Sequence, residues 1–165
     1  MSAHIQAYSN PKVRQVSCSA WGLLYRELIR LGLPQGAVRF ETGGKPVFIG
    51  EDLYFSLSHS REVCAVSIAD VPTGVDVELI RTDQRPRLIE RSLSETERKA
   101  YDGDFTRLWC RKEAIAKLAG TGIAGYPSRI NTLDKRWEYE ERRIEHNGRA
   151  YWLAAVFPRA VSEVF

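Results

Sequence analysis

Cysteine and histidine are scarce in this chain, and the few present are scattered. Cys18, Cys64 and Cys110 form no CxxC pair and no disulfide framework. With His4, His59 and His146 equally dispersed, a zinc site built on thiolates and imidazoles is excluded, and a reducing cytoplasm is the expected compartment. No apolar run approaches the ~20 residues of a membrane span. The polar residues 1–15 lack the apolar core and small-residue cleavage site of a signal peptide. No solenoid-period repeat and no low-complexity tract interrupts the sequence. Neither a GxxxxGK[ST] phosphate loop nor a GxSxG nucleophile elbow occurs. What remains is ordinary for a folded protein: 165 residues, 44% hydrophobic, 27% charged, net charge +3. So small an excess of charge names no partner.

Hydrophobic spacing marks the elements. Val16, Ala20, Leu23, Leu24, Leu28 and Leu31 recur at helical intervals until Gly32 and Pro34 stop the helix. A short strand at 38–40 leads into the turn Gly43-Gly44-Lys45-Pro46. Residues 54–57 read as a strand running into Ser58-His59-Ser60, with 63–69 as its hairpin partner. After the turn Pro72-Thr73-Gly74, residues 75–79 alternate apolar and acidic. Pro86 can open a helix, Ser94 with Glu97 forms a capping box, and Asp104 caps a longer helix. The core stripe of that helix reads as Phe105, Leu108, Ile115 and Ala119, with Gly120 and Gly122 at its end. Asn147-Gly148 reads as a two-residue hairpin turn. The apolar run 151–157 fits a strand covered on both faces. Strands and helices mix without regular βαβ alternation, so the class is α+β.

Four segments carry chemistry. In Gly74-Val75-Asp76-Val77-Glu78, residues two apart on a strand face the same way, so Asp76 and Glu78 present two carboxylates together. Such a pair repels itself unless a cation intervenes, and all-oxygen donors favour magnesium. The polar side of an edge strand would show the same alternation. In Trp109-Cys110-Arg111-Lys112-Glu113, continuing to Lys117, helical spacing brings Trp109, Glu113 and Lys117 to one side. An ordinary ion pair beside a core tryptophan has that spacing too. Ser58-His59-Ser60 can hold a phosphate or simply form a hydrogen-bonded turn. Gly44-Lys45-Pro46 can place one lysine on a phosphate.

Taken in order, GKP, FSLSHS, GVDVE and WCRKEAIAKLAGTG closely resemble the 4′-phosphopantetheinyl transferases of the surfactin-synthetase type. The resemblance spans roughly residues 12–122 and, more loosely, the final strand. It includes Arg14-Gln15-Val16-Ser17, and Arg91-Ser92-Leu93-Ser94-Glu95-Thr96-Glu97 where the family has an aromatic-rich segment. It implies a pseudo-twofold pair of α+β halves with antiparallel sheets and packed helices in one compact unit. The halves would be 1–73, shortened, and 74–165, with the site in the cleft between them.

The activity implied is transfer of 4′-phosphopantetheine from coenzyme A to a serine of an acyl or peptidyl carrier protein, with release of 3′,5′-ADP. By the same resemblance Asp76, Glu78 and Glu113 bind Mg²⁺, and Lys117 reaches the phosphates. Lys45 and Pro46 sit by the nucleotide, and Ser58 and His59 contact its phosphate groups. Glu113 doubles as candidate base, Trp109 packs the helix, and Lys112 is either a phosphate contact or a surface charge. Only about 43 residues precede the GKP turn, fewer than in the family. Lys12 and Arg14 are expected to take over part of the nucleotide contact, and both monomer and homodimer stay open. The basic stretch Arg85, Arg87, Arg91, with Leu88 and Ile89 between, can dock an acidic carrier or form a solvated helix face.

Two other readings compete. A non-catalytic coenzyme A-binding or protein-binding module requires no particular acids, and a degenerate enzyme keeps them without turnover. A magnesium nuclease of the PD-(D/E)xK kind would use Asp76 with Glu97 and Lys99. That motif needs a strand, whereas a capped helix turns those two side chains roughly 160° apart. Neither nucleic acid nor membrane is an expected partner.

Overall fold

The computed structural model describes residues 11–81, 86–123 and 127–160, with side chains from residue 19 onward. Helix α1 (Pro11–Leu31) is followed by short strands β1 (Val38–Phe40) and β2 (Pro46–Phe48), then β3 (Tyr54–Ser60), β4 (Val63–Ala69) and β5 (Gly74–Leu79). Helices α2 (Pro86–Ser92), α3 (Glu95–Ala100) and α4 (Phe105–Ala119) come next. A 3₁₀ turn at Pro127–Arg129 leads to β6 (Trp137–His146) and β7 (Arg149–Pro158). All strand pairs are antiparallel: β1 with β2, β3 with β4, and a three-stranded sheet in the order β5-β7-β6. The class is α+β, as expected.

Local signals sit where the chemistry requires. The Ser94 side chain accepts from the Glu97 amide while the Glu97 side chain accepts from the Ser94 amide, closing the capping box. Asp104 accepts from the Arg107 amide at the start of α4. Asn147 and Gly148 both have positive φ, the twist a two-residue hairpin needs, and they set the β6–β7 register His146↔Arg149. β7 is apolar because both its faces are covered, Val156 by α4 and Tyr151 and Ala155 by the core that includes Ala65.

Helix α1 packs Trp21, Leu24 and Leu28 against Phe48 and Phe55. Leu31, at the helix end, is exposed instead of joining that stripe. In the second half α4 lies on β5 and β7. Ala114, Ile115 and Val156 form one core there. On the other face Val75, Val77, Tyr151 and Ala155 enclose Ala65 of β4. The α4 stripe differs from the expected one. Leu108 is half-buried and Ala119 exposed, whereas Thr106, Cys110, Lys112, Ala114 and Ala116 are buried, because the helix touches strands on one side and the 127–132 segment on another. Strand β2 was not legible as a strand: its three residues acquire a ladder only by pairing with β1.

Candidate active site

The site starts with a close approach of two backbones. A β-carbon on Gly74 would lie 2.0 Å from the Ala114 carbonyl oxygen, so only glycine lets α4 settle onto β5. By strand alternation Asp76 and Glu78 face the same helix. Asp76 is 4% exposed, which rules out the solvent-facing edge for it. Lys117, one turn beyond Glu113, donates to Asp76 Oδ1 at 2.7 Å.

A second close approach brings in the GKP turn. A β-carbon on Gly43 would lie 2.0 Å from the Gly120 carbonyl oxygen. Gly120 is the left-handed C-cap of α4. Lys45 Nζ donates to the Leu118 carbonyl at 2.5 Å, where the helix leaves acceptors unpaired. Burial holds the lysine pKa below its usual value, opposed by Glu41.

One cavity of about 460 Å³ joins these parts. Lys45, Pro46, Ser58, His59, Asp76, Glu78, Glu113 and Lys117 all line it. Arg14 belongs to α1, but its side chain lies outside the described residues, as does that of Lys12. Ala20 and Trp21 of α1 and Gly122 also line the cavity; spacing marked Ala20 only as core and Gly122 only as a helix end, and it did not mark Trp21. Trp109 is half-buried with its ring centroid 5.7 Å from that of Phe105, a packing role.

The acids push on one another. Glu78 is raised to about 7, first by burial and then by Asp76 and Glu113. Glu113 is raised by burial and Asp76 against the pull of Lys117. His59 is lowered by burial and Lys117, with Asp76 opposing, so its neutral form is favoured. Burial lifts the Cys110 thiol far above its usual range, leaving it inert.

The donor set suits a hard divalent cation. Burial and neighbouring carboxylates raise the proton affinity of Glu78 and Glu113, and Asp76 Oδ2 is buried without a hydrogen-bond partner among the described residues. A cation would satisfy that oxygen and relieve the repulsion. As the side chains stand, with Lys117 on Oδ1, no three His, Cys, Asp or Glu among the described residues are drawn close enough to hold a metal.

A model of the 4′-phosphopantetheinyl transferase superfamily matches residues 72–161, more than half of the chain. The chain belongs to the 4′-phosphopantetheinyl transferase superfamily. It is 33% identical over 115 residues to the 4′-phosphopantetheinyl transferase psf-1 of Bacillus pumilus, covering 62% of this chain and 49% of psf-1. It is 38% identical over 88 residues to AcpT of Salmonella typhimurium, covering 47% of this chain and 46% of AcpT. With HetI of Nostoc sp. it shares 35% over 114 residues, 57% of this chain and 46% of HetI. Both AcpT and HetI bear the same transferase name. The chain spans about half the length of the curated relatives it matches.

Within this superfamily frame one residue takes another place than its motif suggested. Lys112 is neither a phosphate contact nor a surface charge. It is fully buried and donates to Glu97 Oε2 at 2.6 Å and to the Pro127 and Ile130 carbonyls. Glu97 in turn accepts from the amide and hydroxyl of Thr132. This buried pair ties α3 and the 127–132 segment to α4, and removing one partner would strand the other charge. It also closes the nuclease reading, since Glu97 is committed to Lys112 outside the cavity lining and Lys99 is exposed. Among the described residues, no helix is long and apolar enough to cross a membrane.

Proposed function

We propose that the protein transfers 4′-phosphopantetheine from coenzyme A to a serine of an acyl or peptidyl carrier protein in a Mg²⁺-dependent reaction that releases 3′,5′-ADP. The observation that carries this reading is the convergence of Asp76, Glu78, Glu113 and Lys117 with the GKP turn and Ser58-His59 on one cavity. Family membership and the transferase names of the relatives support the same reaction class. A non-catalytic binding module has no need of four buried or half-buried charges around one cavity.

The reaction asks for positioning and charge neutralisation more than covalent catalysis. Asp76, Glu78 and Glu113 would hold Mg²⁺, which supplies Lewis-acid neutralisation at the diphosphate. Lys117, 31% exposed at its side chain, reaches from Asp76 toward the phosphates as an electrostatic clamp. Lys45 and Pro46 flank the nucleotide from the α4 end, and His59 lies beside its phosphates in the neutral form. The serine hydroxyl of the carrier attacks the β-phosphate. Glu113, whose raised pKa makes it a better proton acceptor than an ordinary carboxylate, takes the hydroxyl proton.

The division into halves at 73/74, with the site in their cleft, is part of this reading, as is a cytoplasmic location. The Trp21–Phe55 core drawn wholly from the first half supports the division. Helix α2 offers a docking face for an acidic carrier: Arg87 and Arg91 are exposed and Leu88 is 46% exposed between them. Arg85 lies outside the described residues.

The test is intact mass measurement of apo acyl and apo peptidyl carrier proteins incubated with the protein, coenzyme A and Mg²⁺. A gain of one phosphopantetheine that EDTA prevents is the expected result. No gain on either carrier, with coenzyme A still bound, would reduce the protein to a binding module.

A further inference from the structure

The hairpin that joins β3 to β4 closes in two residues. Ser60 pairs with Val63, so Arg61 and Glu62 are the whole loop. Arg61 has φ +56°, and among the described residues only Asn147 shares a positive φ outside glycine. A two-residue loop with positive φ at its first position alone is a type II′ turn, and that position favours glycine. Asparagine visits the left-handed region because its short polar side chain bonds locally, whereas a long side chain gains nothing there. Glycine at position 61 would relieve the backbone, and the chain carries a cation there instead.

The surroundings leave that cation available. Ser56, Ser58 and Ser60 of β3 accept from the amides of Val75, Val77 and Leu79 on β5. The alternate row, Phe55, Leu57 and His59, lines the cavity. Arg61 is the next position of that row, exposed at the hairpin tip. Its neighbour Glu62 is already engaged: it accepts from Asn147 Nδ2 at 3.1 Å and lies 3.9 Å from His146 Nε2, which steadies the tip against the β6–β7 turn. Arg61 enters no ion pair among the described residues.

Coenzyme A carries a 3′-phosphomonoester in addition to its diphosphate, and that group is close to a dianion at neutral pH. Lys45 and Lys117 are the two cations in the described lining of the cavity. Lys45 donates to the Leu118 carbonyl, and Lys117 donates to Asp76 at the acidic centre. His59, next to Arg61 in the row, is held toward its neutral form by burial and Lys117. A guanidinium presents a planar fork that matches two phosphate oxygens at once. We propose that Arg61 binds the 3′-phosphate of coenzyme A at the tip of the β3–β4 hairpin and sets the preference for coenzyme A over donors that lack this group. The identity of the ligand rests on the functional reading above. The positive φ is then a loss of stability retained for binding.

The experiment compares the parent with R61G, R61K and E62A. Thermal unfolding is recorded for each, and calorimetric titration measures binding of coenzyme A and of dephospho-coenzyme A, which lacks the 3′-phosphate. R61G is expected to bind coenzyme A about tenfold more weakly and dephospho-coenzyme A as the parent does. Its Tm is expected to rise by about 2 °C, because glycine adopts the positive φ without steric cost. R61K keeps a point charge without the fork and should fall between the two. E62A loses the contact to Asn147 and should keep the parent's preference between the donors. Equal weakening of both donors in R61G, or an unchanged preference for coenzyme A, would overturn the proposal. A shift in preference as large in E62A as in R61G would assign the effect to the shape of the turn and overturn it too. A parent that binds the two donors equally yet transfers phosphopantetheine overturns the proposal and leaves the transferase reading standing. A parent that prefers coenzyme A yet transfers to no carrier removes the transferase reading, and the binding ratios of the variants still decide the role of Arg61.

Discussion

Neutralising Glu78 is expected to stabilise the metal-free protein while destroying its activity. The Glu78 carboxyl is raised from 4.5 to about 7 by burial, then by Asp76 and Glu113. Because the folded value lies above the unfolded one, folding takes up a proton between those limits. This group therefore imposes no penalty below pH 4.5, and stability falls as pH rises through about 7. At about 1.4 kcal/mol per unit the full cost above pH 8 is about 3.5 kcal/mol, and partial solvent exposure with screening reduces it to about 2 kcal/mol. Glu78→Gln removes the charge at nearly constant shape. Thermal or urea unfolding of parent and variant in EDTA at pH 5 and pH 8.5 measures the effect. At pH 8.5 the variant should be more stable by about 2 kcal/mol, roughly 5 °C in Tm for a chain of this size, and at pH 5 the gap should largely close. Mg²⁺ with coenzyme A should then stabilise the parent far more than the variant. A variant no more stable than the parent at pH 8.5, or a gap independent of pH, would refute the idea that these carboxylates repel one another across a shared site.

Other perturbations probe the surrounding frame. Asp76→Asn keeps the shape of a 4%-exposed side chain and should lower transfer by about a hundredfold, about 3 kcal/mol of transition-state stabilisation, with the fold intact by circular dichroism. Gly74→Ala puts a methyl 2.0 Å from the Ala114 carbonyl oxygen and should cost about 2–3 kcal/mol in urea unfolding, because backbone stands on both sides. Tyr151→Phe removes a buried hydroxyl that has no hydrogen-bond partner among the described residues and should raise the unfolding free energy in urea by up to about 1 kcal/mol. Glu141 is held at about 2: burial raises it, but hydrogen bonds from Arg111 and Arg107 prevail. Its stabilisation, about 2–3 kcal/mol, is present above pH 4.5 and lost as pH falls toward 2, so Glu141→Gln should flatten the acid limb of the unfolding curve.

Much was legible in the sequence because it depends on neighbours along the chain. The Ser94–Glu97 capping box, the Asp104 cap, the Asn147-Gly148 turn and the two-residue alternation of Asp76 and Glu78 each follow from dihedral preferences or side-chain reach within a few residues. So did the candidate site, because the order of four short motifs pointed to one family before any contact was known. What the tertiary structure alone decided are contacts between residues far apart in sequence. A lysine in the middle of a motif on a charged helix looks like a phosphate ligand or a surface group. Only the packing of α3 and the 127–132 segment on α4 makes Lys112 a buried partner of Glu97. Ser58 reads as one hydroxyl at a strand end, and only the placement of β5 and α4 beside it brings Val77, Asp76 and Lys117 within hydrogen-bonding reach. Local sequence sets which groups a residue can offer; the long-range juxtaposition of strands and helices determines which partners desolvate them, and burial makes an unmet hydrogen bond or charge too costly to leave.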